Sequence, residues 1–444
     1  MPYTNKKIAV LGAGESGEAA ALLLAEEGAV VTVLDSSEEN KLRRKIDAFA
    51  LRGIRVLAGL AAEQEPEDYA LAVLSPGIDP SVPLVRNFIA RRIEMIGELE
   101  FAYEWCKCPI IGITGTNGKT TTTQLVEKML NACGVKTLAA GNIGPAFSAR
   151  VKESANLDMM TLELSSFQLE TIRRFRTQTA VWLGFAADHL DRYASMDEYY
   201  AAKIRIFENQ TADDWAVVNF RDRLPELKAK KITFSAFASG GDFELRNGVI
   251  HFRSEPVLAM SDTKLRGAHN TENLMAALGV GFVHGLSFGA MRAPLCEYAP
   301  LPHRCESLRV IDDVEWVSDS KATNPDAVEK ALMSETRPVV LIAGGKDKGF
   351  EYSMLTDLVA EKCRAVITMG EMADRIEVIW KDRLPVRNAG ASLEAAVALA
   401  HEAARPGDVV LFSPGTSSFD MFKNYADRGD QFRALVTNLK ATTK

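Results

Sequence analysis

The chain has 444 residues, of which 47% are hydrophobic, so it is long enough for two or three domains that each bury a core. Its net charge of −7 argues against a nucleic-acid partner, because the phosphate backbone of a nucleic acid rewards clustered cations. The sequence has no run of about 20 apolar residues that could span a membrane and no signal-peptide core at its N-terminus, so we expect a cytoplasmic protein without a membrane span. A monomer is a separate expectation, which these patterns do not address.

The first predicted unit begins with a strand, a glycine-rich turn and a helix. Residues 8–11 form the strand, and residues 12–17 match the pattern G-x-G-x-x-G. The next strand ends in Asp35, about 20 residues beyond the glycines, which is typical of dinucleotide-binding proteins. A further strand, Leu71–Leu74, ends in the turn Ser75-Pro76-Gly77. Because carboxyl edges of this kind form the ligand crevice of open α/β sheets, we expect a phosphate-containing ligand here.

The most informative segment is the strand, turn and helix around residues 110–120. The turn Thr114-Gly115-Thr116-Asn117-Gly118 follows an apolar run, and Lys119-Thr120 open a helix. This context predicts a phosphate-binding loop, in which backbone N–H groups and the helix N-terminus face the phosphates. We expect Lys119 to reach the β- and γ-phosphates and Thr120 to hold Mg²⁺. Ile113 stands where the strict G-x-x-x-x-G-K-[ST] pattern has glycine, so an ordinary glycine turn is the alternative.

Two polar groups follow apolar runs farther along this second unit. The run at residues 159–162 ends in Glu163, where a carboxylate after a phosphate loop can support Mg²⁺. A solvent-facing strand end is the alternative interpretation of Glu163. The run at residues 180–183 precedes Asp188-His189-Leu190-Asp191-Arg192-Tyr193, whose bunched charged groups favour a functional site over a solvated surface.

A helix is predicted directly after this charged cluster. Ser195 and Glu198 have the spacing of a capping box, so the helix begins here and runs to about residue 209. Lys203 lies in the middle of the helix. On this pattern alone, Lys203 is interpreted as an ordinary solvated lysine.

A third predicted unit begins near residue 301 and contains four strands. Each strand is followed by a polar or glycine-containing loop, and these loops begin at residues 318, 344, 370 and 413. Asn324 and Pro325 have the residue types of an N-cap and the first position of a helix. Because helices are predicted between the strands, we expect a parallel sheet and therefore another Rossmann-like unit.

The ordered motifs of the chain resemble the Mur ligase family almost from end to end. The matching segments are residues 114–120, 141–144, 163–170, 188–193, 267–270 with Asn273, 302–304, 319–324, 413–414 and 417–420. Among these, residues 319–324 and the segments of the 413–420 loop are similar to the members of the family that add D-glutamate. The resemblance implies three Rossmann-like or P-loop α/β domains with mostly parallel sheets. It implies a UDP-substrate domain at residues 1–97, a central ATPase domain at 98–300 and an amino-acid-binding domain at 301–444.

The resemblance also implies the reaction. ATP would phosphorylate the carboxylate of UDP-N-acetylmuramoyl-L-alanine, and D-glutamate would attack the acyl phosphate, which yields ADP and phosphate. The reaction belongs to peptidoglycan precursor synthesis and therefore to cell-wall biogenesis, cell shape and cell division. The expected cofactors are ATP and Mg²⁺ at two sites.

Residue roles follow from the same resemblance. The ATP-binding set is Gly115, Thr116, Asn117, Gly118, Lys119, Thr120, Thr121, Asn270, Asn273, Arg304 and Asp319. The UDP-substrate set is Gly14, Ser16, Asp35, Ser36, Ser75, Gly77, Asn142, Ser165 and His189. The amino-acid set is Lys321, Thr323, Lys348, Ser418 and Tyr425, the last of which stands where the family usually has phenylalanine. The metal ligands are Thr120, Glu163, His189 and a carbamoylated Lys203, and the catalytic set is Lys119, Glu163, His189 and Lys203.

Three other functions compete with this interpretation. A sister ligase of the family would share the phosphate loop but use a different acceptor amino acid, so it should differ at Lys321, Thr323 and residues 413–420. An NAD-dependent oxidoreductase would use the first glycine motif, but it would not need the phosphate loop. A non-catalytic nucleotide-binding regulator would bind ATP without amino-acid-dependent turnover.

Overall fold

The computed structural model of the protein describes residues 2–188, 192–299 and 302–440. Within these ranges the strands form three separate sheets, of five, nine and six strands, which follow one another along the chain. The prediction of α/β units with mostly parallel sheets is therefore confirmed. None of the described helices is both long enough and apolar enough to cross a bilayer.

The first sheet is parallel throughout and has the strand order β3-β2-β1-β4-β5. Its elements are β1 (Lys7–Leu11), α1 (Glu15–Glu26), β2 (Val30–Asp35), α2 (Glu39–Ala50), β3 (Arg55–Ala58), α3 (Leu60–Glu63), β4 (Leu71–Leu74), α4 (Pro83–Ala90) and β5 (Met95–Gly97). The glycine motif lies between β1 and α1. A Cβ atom on Gly17 would lie 1.8 Å from the carbonyl oxygen of Gly12, so the motif allows α1 to pack closely on the sheet.

Helix α5 (Glu98–Tyr103) follows β5 directly and is anchored to the central unit by two buried carboxylates. Glu98 Oε1 accepts hydrogen bonds from the Ser148 backbone N–H at 2.7 Å and from the Ser148 hydroxyl at 2.5 Å. Glu100 accepts the three consecutive backbone N–H groups of residues 173–175 at 2.8 to 2.9 Å. Because carboxylates satisfy these N–H groups inside the protein, α5 is part of the packing of the central unit.

We expect Glu100→Ala to lower the free energy of unfolding by about 2–4 kcal/mol, because the backbone N–H groups of residues 173–175 would lose their buried acceptor. Urea denaturation of the purified variant measures this change. Glu104→Ala is the matched control on the next turn, since the side chain of Glu104 accepts hydrogen bonds from the Tyr3 hydroxyl and the Arg174 side chain and from no backbone N–H group of the described residues. An equal loss of stability in the two variants would contradict the anchoring role of Glu100.

The central sheet has the order β14-β13-β12-β11-β10-β9-β6-β8-β7, and it is parallel except for the hairpins that join β12, β13 and β14. Its strands are β6 (Ile110–Thr114), β7 (Thr137–Gly141), β8 (Met159–Glu163), β9 (Thr179–Trp182), β10 (Trp215–Asn219), β11 (Lys230–Ser235), β12 (Phe243–Arg246), β13 (Val249–Phe252) and β14 (Glu255–Ala259). Its α-helices are α6 (Lys119–Ala132), α7 (Phe147–Arg150), α8 (Ser166–Leu169), α9 (Met196–Ile204), α10 (Ala268–Val283) and α11 (Phe288–Glu297). Strands β9, β6 and β8 are neighbours, so the loops that leave their carboxyl ends meet at one edge.

The third sheet has the order β15-β16-β20-β17-β18-β19, and only the edge strand β15 is antiparallel to its neighbour. Its strands are β15 (Glu306–Ile311), β16 (Val314–Ser318), β17 (Val339–Gly344), β18 (Cys363–Met369), β19 (Val386–Asn388) and β20 (Val409–Phe412). Its helices are α12 (Pro325–Ser334), α13 (Thr356–Lys362), α14 (Ala373–Trp380), α15 (Leu393–Ala403) and α16 (Tyr425–Asn438). The predicted cap of α12 is confirmed, because the Asn324 side chain accepts a hydrogen bond from the Ala327 backbone N–H at 2.9 Å.

Candidate active site

The phosphate loop connects β6 to α6, and the lysine at its end donates hydrogen bonds back to carbonyl oxygens of the loop. Gly118 caps α6 with a φ of +84°, and a Cβ atom there would lie 2.4 Å from Asn273 Oδ1 on α10. The ammonium of Lys119 donates to the carbonyl oxygens of Gly115 and Thr116, each at 2.9 Å. The loop therefore has the left-handed glycine, the helix N-terminus and the cation that a bound phosphate requires.

A cavity of about 300 Å³ lies between the central unit and the third unit, with the phosphate loop in its wall. It collects many residues that were predicted from separate motifs: Thr116, Asn117, Gly118, Lys119, Thr120, Thr121, Asn142, Glu163, Ser165, Lys203, Asn270, Asn273, Arg304, Asp319, Lys321 and Thr323. Asp188 of the predicted charged cluster also lines it, as do residues without a predicted individual role, among them His269, Glu272, Cys305 and Lys330. The predicted phosphate loop thus shares one cavity with three of the predicted metal ligands and with two of the predicted amino-acid-binding residues.

Glu163 presents an unused carboxylate oxygen in this cavity. The side chain is 2% exposed, so the alternative of a solvent-facing strand end is wrong. Its Oε1 accepts a hydrogen bond from the Asn142 side chain at 2.7 Å. Its Oε2 is buried and has no hydrogen-bond partner among the described residues. A buried carboxylate oxygen left open in this way is suited to a cation or to a ligand that carries one.

Lys203 is 1% exposed, so its interpretation as a solvated helix lysine is wrong. Its ammonium donates to the carbonyl oxygen of Gly115 at 2.9 Å and lies 4.9 Å from the centre of the Tyr199 ring. Burial, reinforced by the positive charge of Lys119, holds the pKa of Lys203 well below its usual value. Because its pKa is lowered, this lysine is present as the neutral, nucleophilic amine to a greater extent than an exposed lysine at the same pH.

The donor set fits Mg²⁺ only in part. Thr120 and Glu163 line the cavity and supply the hydroxyl and carboxylate oxygens that this ion prefers. Lys203 as a free amine supplies no such oxygen, whereas a carbamate on its nitrogen would. The predicted ligand His189 lies outside the described residues. Among residues 2–188, 192–299 and 302–440, no group of three or more His, Cys, Asp or Glu side chains is arranged to hold a metal ion.

The third unit faces the cavity with charged groups whose pKa values are shifted. Burial raises the pKa of Asp319 to about 6, although hydrogen bonds from the Ser413 hydroxyl and the Cys305 backbone N–H oppose the shift. Burial also lowers the pKa of Lys321 to about 8, and the nearby charge of Arg304 contributes. The Lys321 ammonium lies 3.9 Å above the ring of Tyr425.

Side chains of the third unit reach across to the central unit beside the phosphate loop. Lys348 Nζ lies 3.5 Å from Asp188 Oδ1, and the Asn324 amide donates to Asp188 Oδ2 at 3.2 Å. The Asn117 side chain, within the phosphate loop, donates to the carboxylate of Asp326 at the start of α12. These contacts bring Lys348 to the edge of the cavity, although neither it nor Ser418 and Tyr425 lines the cavity itself.

A buried arginine of α16 organises two loops of the third unit and was not predicted. Arg428 is 0% exposed. Its guanidinium donates to the hydroxyl and carbonyl oxygens of Ser320 at 3.0 and 2.7 Å and to the carbonyl oxygen of Thr416 at 3.1 Å. It therefore joins the loop that carries Lys321 to the loop that carries Ser418. One arginine in a polar helical segment gives no sequence signal for such a role.

The predicted UDP-substrate residues of the first unit lie together, but outside the cavity. Gly14, Ser16, Asp35, Ser36, Ser75 and Gly77 all lie at or just beyond the carboxyl ends of β1, β2 and β4. Asp35 accepts backbone N–H bonds from Ala13 and Ser37, both at 2.8 Å. Arg192 of the central unit donates to the carbonyl oxygen of Ile78 at 3.3 Å. This edge of the first sheet therefore adjoins the central segment that follows residue 191.

Three family models match consecutive parts of the chain. The model for the N-terminal domain of MurD-like Mur ligases matches residues 6–97, that for the Mur ligase middle domain matches residues 113–281, and that for the Mur ligase glutamate ligase domain matches residues 303–415. A relative from Geotalea uraniireducens is 42% identical over 99% of this chain and 99% of its own. The chain belongs to the Mur ligase family.

The Geotalea relative of this Mur ligase is named UDP-N-acetylmuramoylalanine–D-glutamate ligase. A relative of the same name from Koribacter versatilis is 40% identical over 100% of both chains. The solved structure of UDP-N-acetylmuramate-alanine ligase MurC from Thermotoga maritima has a TM-score of 0.62 and 17% identity, covering 98% of this Mur ligase and 100% of that chain. MurF from Acinetobacter baumannii has a TM-score of 0.63 and 14% identity, covering 96% and 93%. These two structures support the fold.

Proposed function

We propose that this Mur ligase is an ATP-dependent amide ligase that adds D-glutamate to UDP-N-acetylmuramoyl-L-alanine through an acyl phosphate, in peptidoglycan precursor synthesis. The observation that carries the proposal is the single cavity in which a phosphate loop, the open oxygen of Glu163 and cations of the third unit meet. Such a site can join a phosphoryl donor to two anionic substrates. The names of full-length relatives at about 40% identity support the choice of D-glutamate.

The first step activates a poor electrophile. A carboxylate oxygen of the L-alanyl group attacks the γ-phosphorus of ATP, the bond to the bridging oxygen breaks, and ADP leaves. Lys119 would turn from the carbonyl oxygens of its own loop toward the β- and γ-phosphates, because charge develops there. Thr120 and Glu163 would hold Mg²⁺, which when bound spreads the charge of the phosphates.

Lys203 acts here as a carbamate in our proposal, in a second Mg²⁺ site with His189. Carbon dioxide adds to a neutral amine, so the burial that lowers the pKa of Lys203 favours this reaction at neutral pH. The product replaces a buried cation with anionic oxygens, the ligand type that Mg²⁺ prefers. The amine proton released in forming the carbamate passes to solvent.

In the second step the amine of D-glutamate attacks the acyl carbon, and inorganic phosphate leaves. We assign the two carboxylates of D-glutamate to the predicted set Lys321, Thr323, Lys348, Ser418 and Tyr425. Two cations and three hydroxyl groups suit a doubly anionic substrate, and water must be kept from the acyl phosphate. The contacts of Asn324 and Lys348 with Asp188 support an approach of the third unit to the phosphate loop during this step.

The other predicted roles complete the proposal. ATP would be held by the phosphate loop and by Asn270, Asn273, Arg304 and Asp319, and the UDP-linked substrate by the edge of the first sheet with Asn142, Ser165 and His189. We propose domains at residues 1–97, 98–300 and 301–444, since α5 packs with the central unit from Glu98 onward. We further propose a cytoplasmic monomer, because ATP and UDP-linked precursors are cytoplasmic, and size-exclusion chromatography tests the oligomeric state.

Trapping with hydroxylamine tests the acyl-phosphate step. Incubation with ATP, Mg²⁺ and UDP-N-acetylmuramoyl-L-alanine, without amino acid, is expected to give the hydroxamate of the UDP-linked substrate. Mass spectrometry detects it, and omission of ATP should abolish it. A protein that makes the amide with D-glutamate but never gives a hydroxamate would contradict the intermediate. No NADH binding is expected, and its detection would favour the oxidoreductase.

We expect the affinity of this Mur ligase for glutarate to fall about tenfold between pH 7 and pH 9. Glutarate carries both carboxylates of D-glutamate but no amine, so the titration of the substrate amine does not interfere. The pKa of Lys321 is lowered to about 8, so the lysine loses its charge as the pH rises through this value. Calorimetry measures the binding. In Lys321→Arg the affinity should stay level to pH 9, and a parallel fall would assign the titration to another group.

Replacing Arg428 is expected to impair the acceptor side alone. Arg428→Met should raise the KM for D-glutamate tenfold or more and leave the KM for ATP within about threefold, because it releases the loops of Lys321 and Ser418. Arg433→Met is the control, since Arg433 on the same helix pairs with Glu306 at 2.8 Å. A folded Arg428→Met protein with an unchanged KM for D-glutamate would contradict this role.

A further inference from the structure

His269 lies in the part of the cavity farthest along α10 from the phosphate loop. Asn273 contacts the loop, since its Oδ1 accepts a hydrogen bond from Thr122 at 3.2 Å and lies against Gly118. His269 lies one helical turn earlier and lines the cavity together with Lys330 of α12. Because Glu163 and Lys203 occupy the end where the γ-phosphate reacts, the nucleoside of ATP would lie toward His269.

The hydrogen bonds around His269 determine which ring nitrogen carries the proton. Its Nδ1 lies 3.1 Å from the hydroxyl oxygen of Ser334. That hydroxyl donates its only proton to the backbone carbonyl oxygen of Lys330 at 2.7 Å. Ser334 therefore accepts from His269, and Nδ1 carries the proton. In a neutral ring, Nε2 is then an acceptor, and it has no hydrogen-bond partner among the described residues.

The ring is neutral at physiological pH. Burial is the main cause that lowers the pKa of His269 to about 4; the charges of Lys330 and Arg304 contribute to the shift, whereas Asp326 opposes it. The charged groups that face His269 come from two segments of the third unit: Lys330 and Asp326 lie on α12, and Arg304 precedes β15. Nε2 therefore keeps its lone pair across the range in which the enzyme works.

The side-chain acceptors of two neighbouring cavity-lining residues on α10, Asn270 and Glu272, are engaged within the protein. Asn270 Oδ1 accepts a hydrogen bond from the Asn273 amide at 3.2 Å. The carboxylate of Glu272 accepts from the Asn219 side chain at 3.0 Å and from the Ser235 hydroxyl and Ala236 N–H at 3.3 and 3.2 Å. His269 Nε2 thus offers an unused acceptor, and a ligand that fills it must bring a donor.

Resting on the proposed function, we propose that His269 selects adenine by accepting a hydrogen bond from the 6-amino group of the base. Hypoxanthine and guanine carry a carbonyl oxygen at position 6, which would place two acceptors against each other. A fixed acceptor that discriminates against such bases makes His269 a specificity-determining residue for the nucleotide. A hydroxyl of the ribose is the other donor of the nucleoside, and the experiment separates the two.

The test compares ATP, ITP and 2′-deoxy-ATP, together with 3′-deoxy-ATP, in wild type and His269→Ala. We expect wild type to prefer ATP to ITP by about tenfold or more in kcat/KM. In His269→Ala we expect kcat/KM to fall by the same factor for ATP and for both deoxy nucleotides. For ITP kcat/KM should stay level, so the preference for ATP disappears. His269→Gln, which keeps an acceptor on a flexible side chain, should recover part of the preference. His251→Ala, on β13, is the control and should leave it unchanged.

Two results would overturn the proposal. An equal loss for ATP and ITP would assign His269 a structural role, and a loss for ATP that spares either deoxy nucleotide would assign its partner to the ribose. Competition of the same four nucleotides against a fluorescent ATP analogue gives the same ratios without catalysis. A protein that shows the adenine preference in binding but makes no amide would therefore refute the proposed function and leave the role of His269 intact.

Discussion

Lys203→Met is expected to lower kcat about 1000-fold or more while the protein stays folded. The side chain is buried against the phosphate loop, and its pKa is held well below the usual value. In our account a carbamate on Lys203 supplies oxygen ligands in a buried site, and methionine cannot form one. Because a buried amine is costly and methionine fills a similar volume, the melting temperature should stay level or rise. Phosphate release and differential scanning calorimetry measure the two effects.

Carbon-13-labelled bicarbonate separates the carbamate from other roles of the lysine. Wild type should show a carbamate carbon by NMR that Lys203→Met lacks, and added bicarbonate should not restore turnover to the variant. Lys128→Met, at an exposed lysine of α6, is the matched control and should keep full activity and the NMR signal. Near-normal turnover in Lys203→Met would remove this lysine from the catalytic set.

Glu163→Gln is expected to lower kcat by about 100- to 1000-fold, because the open Oε2 would become an amide that repels a cation. Glutamine can keep the hydrogen bond from Asn142 through its remaining carbonyl oxygen. Since the substitution removes a buried charge that lacks a full set of partners, stability should not fall. Steady-state kinetics over a range of Mg²⁺ concentrations, with thermal denaturation beside it, measure both effects.

The control for Glu163→Gln is the same substitution at an exposed glutamate, Glu153. Glu153 pairs with Arg150 in solvent, so Glu153→Gln should change neither kcat nor the dependence on Mg²⁺. Retention of more than a tenth of wild-type activity by Glu163→Gln would contradict a metal-holding role. A Glu163→Gln protein whose loss of activity is explained by a lower melting temperature and a smaller folded fraction would point to a structural role instead.

Local sequence patterns predicted the loops and strands that form the site, but they did not predict that Lys203 is buried in it. The phosphate loop, β8 and the cap of α12 follow from residue types within short windows, and the structure confirms these elements. The pattern around Lys203 indicated a solvated lysine, because its burial depends on Gly115, which is 88 residues away in the chain. The short windows from which local structure is predicted do not contain both residues.

The same physical reason explains the residues that were not predicted. Arg428 and His269 act through partners on other elements, Ser320 and Ser334. Residue types near Arg428 do not mark it, and the matching segment 267–270 contains His269 without indicating what its side chain does. The glycine motif of the first unit is a further case, since it specifies a backbone that phosphates can approach and does not distinguish NAD from a UDP-linked substrate. Only the resemblance to the Mur ligase family separated these alternatives.

The preference of this Mur ligase among acceptor amino acids is the most direct test of the proposed addition of D-glutamate. Phosphate release is measured with ATP, Mg²⁺ and UDP-N-acetylmuramoyl-L-alanine in the presence of D-glutamate, L-glutamate, L-alanine, L-lysine or meso-diaminopimelate. We expect turnover with D-glutamate alone. Turnover with another amino acid would contradict the assignment of the third unit, and the absence of turnover with all five would favour a nucleotide-binding regulator.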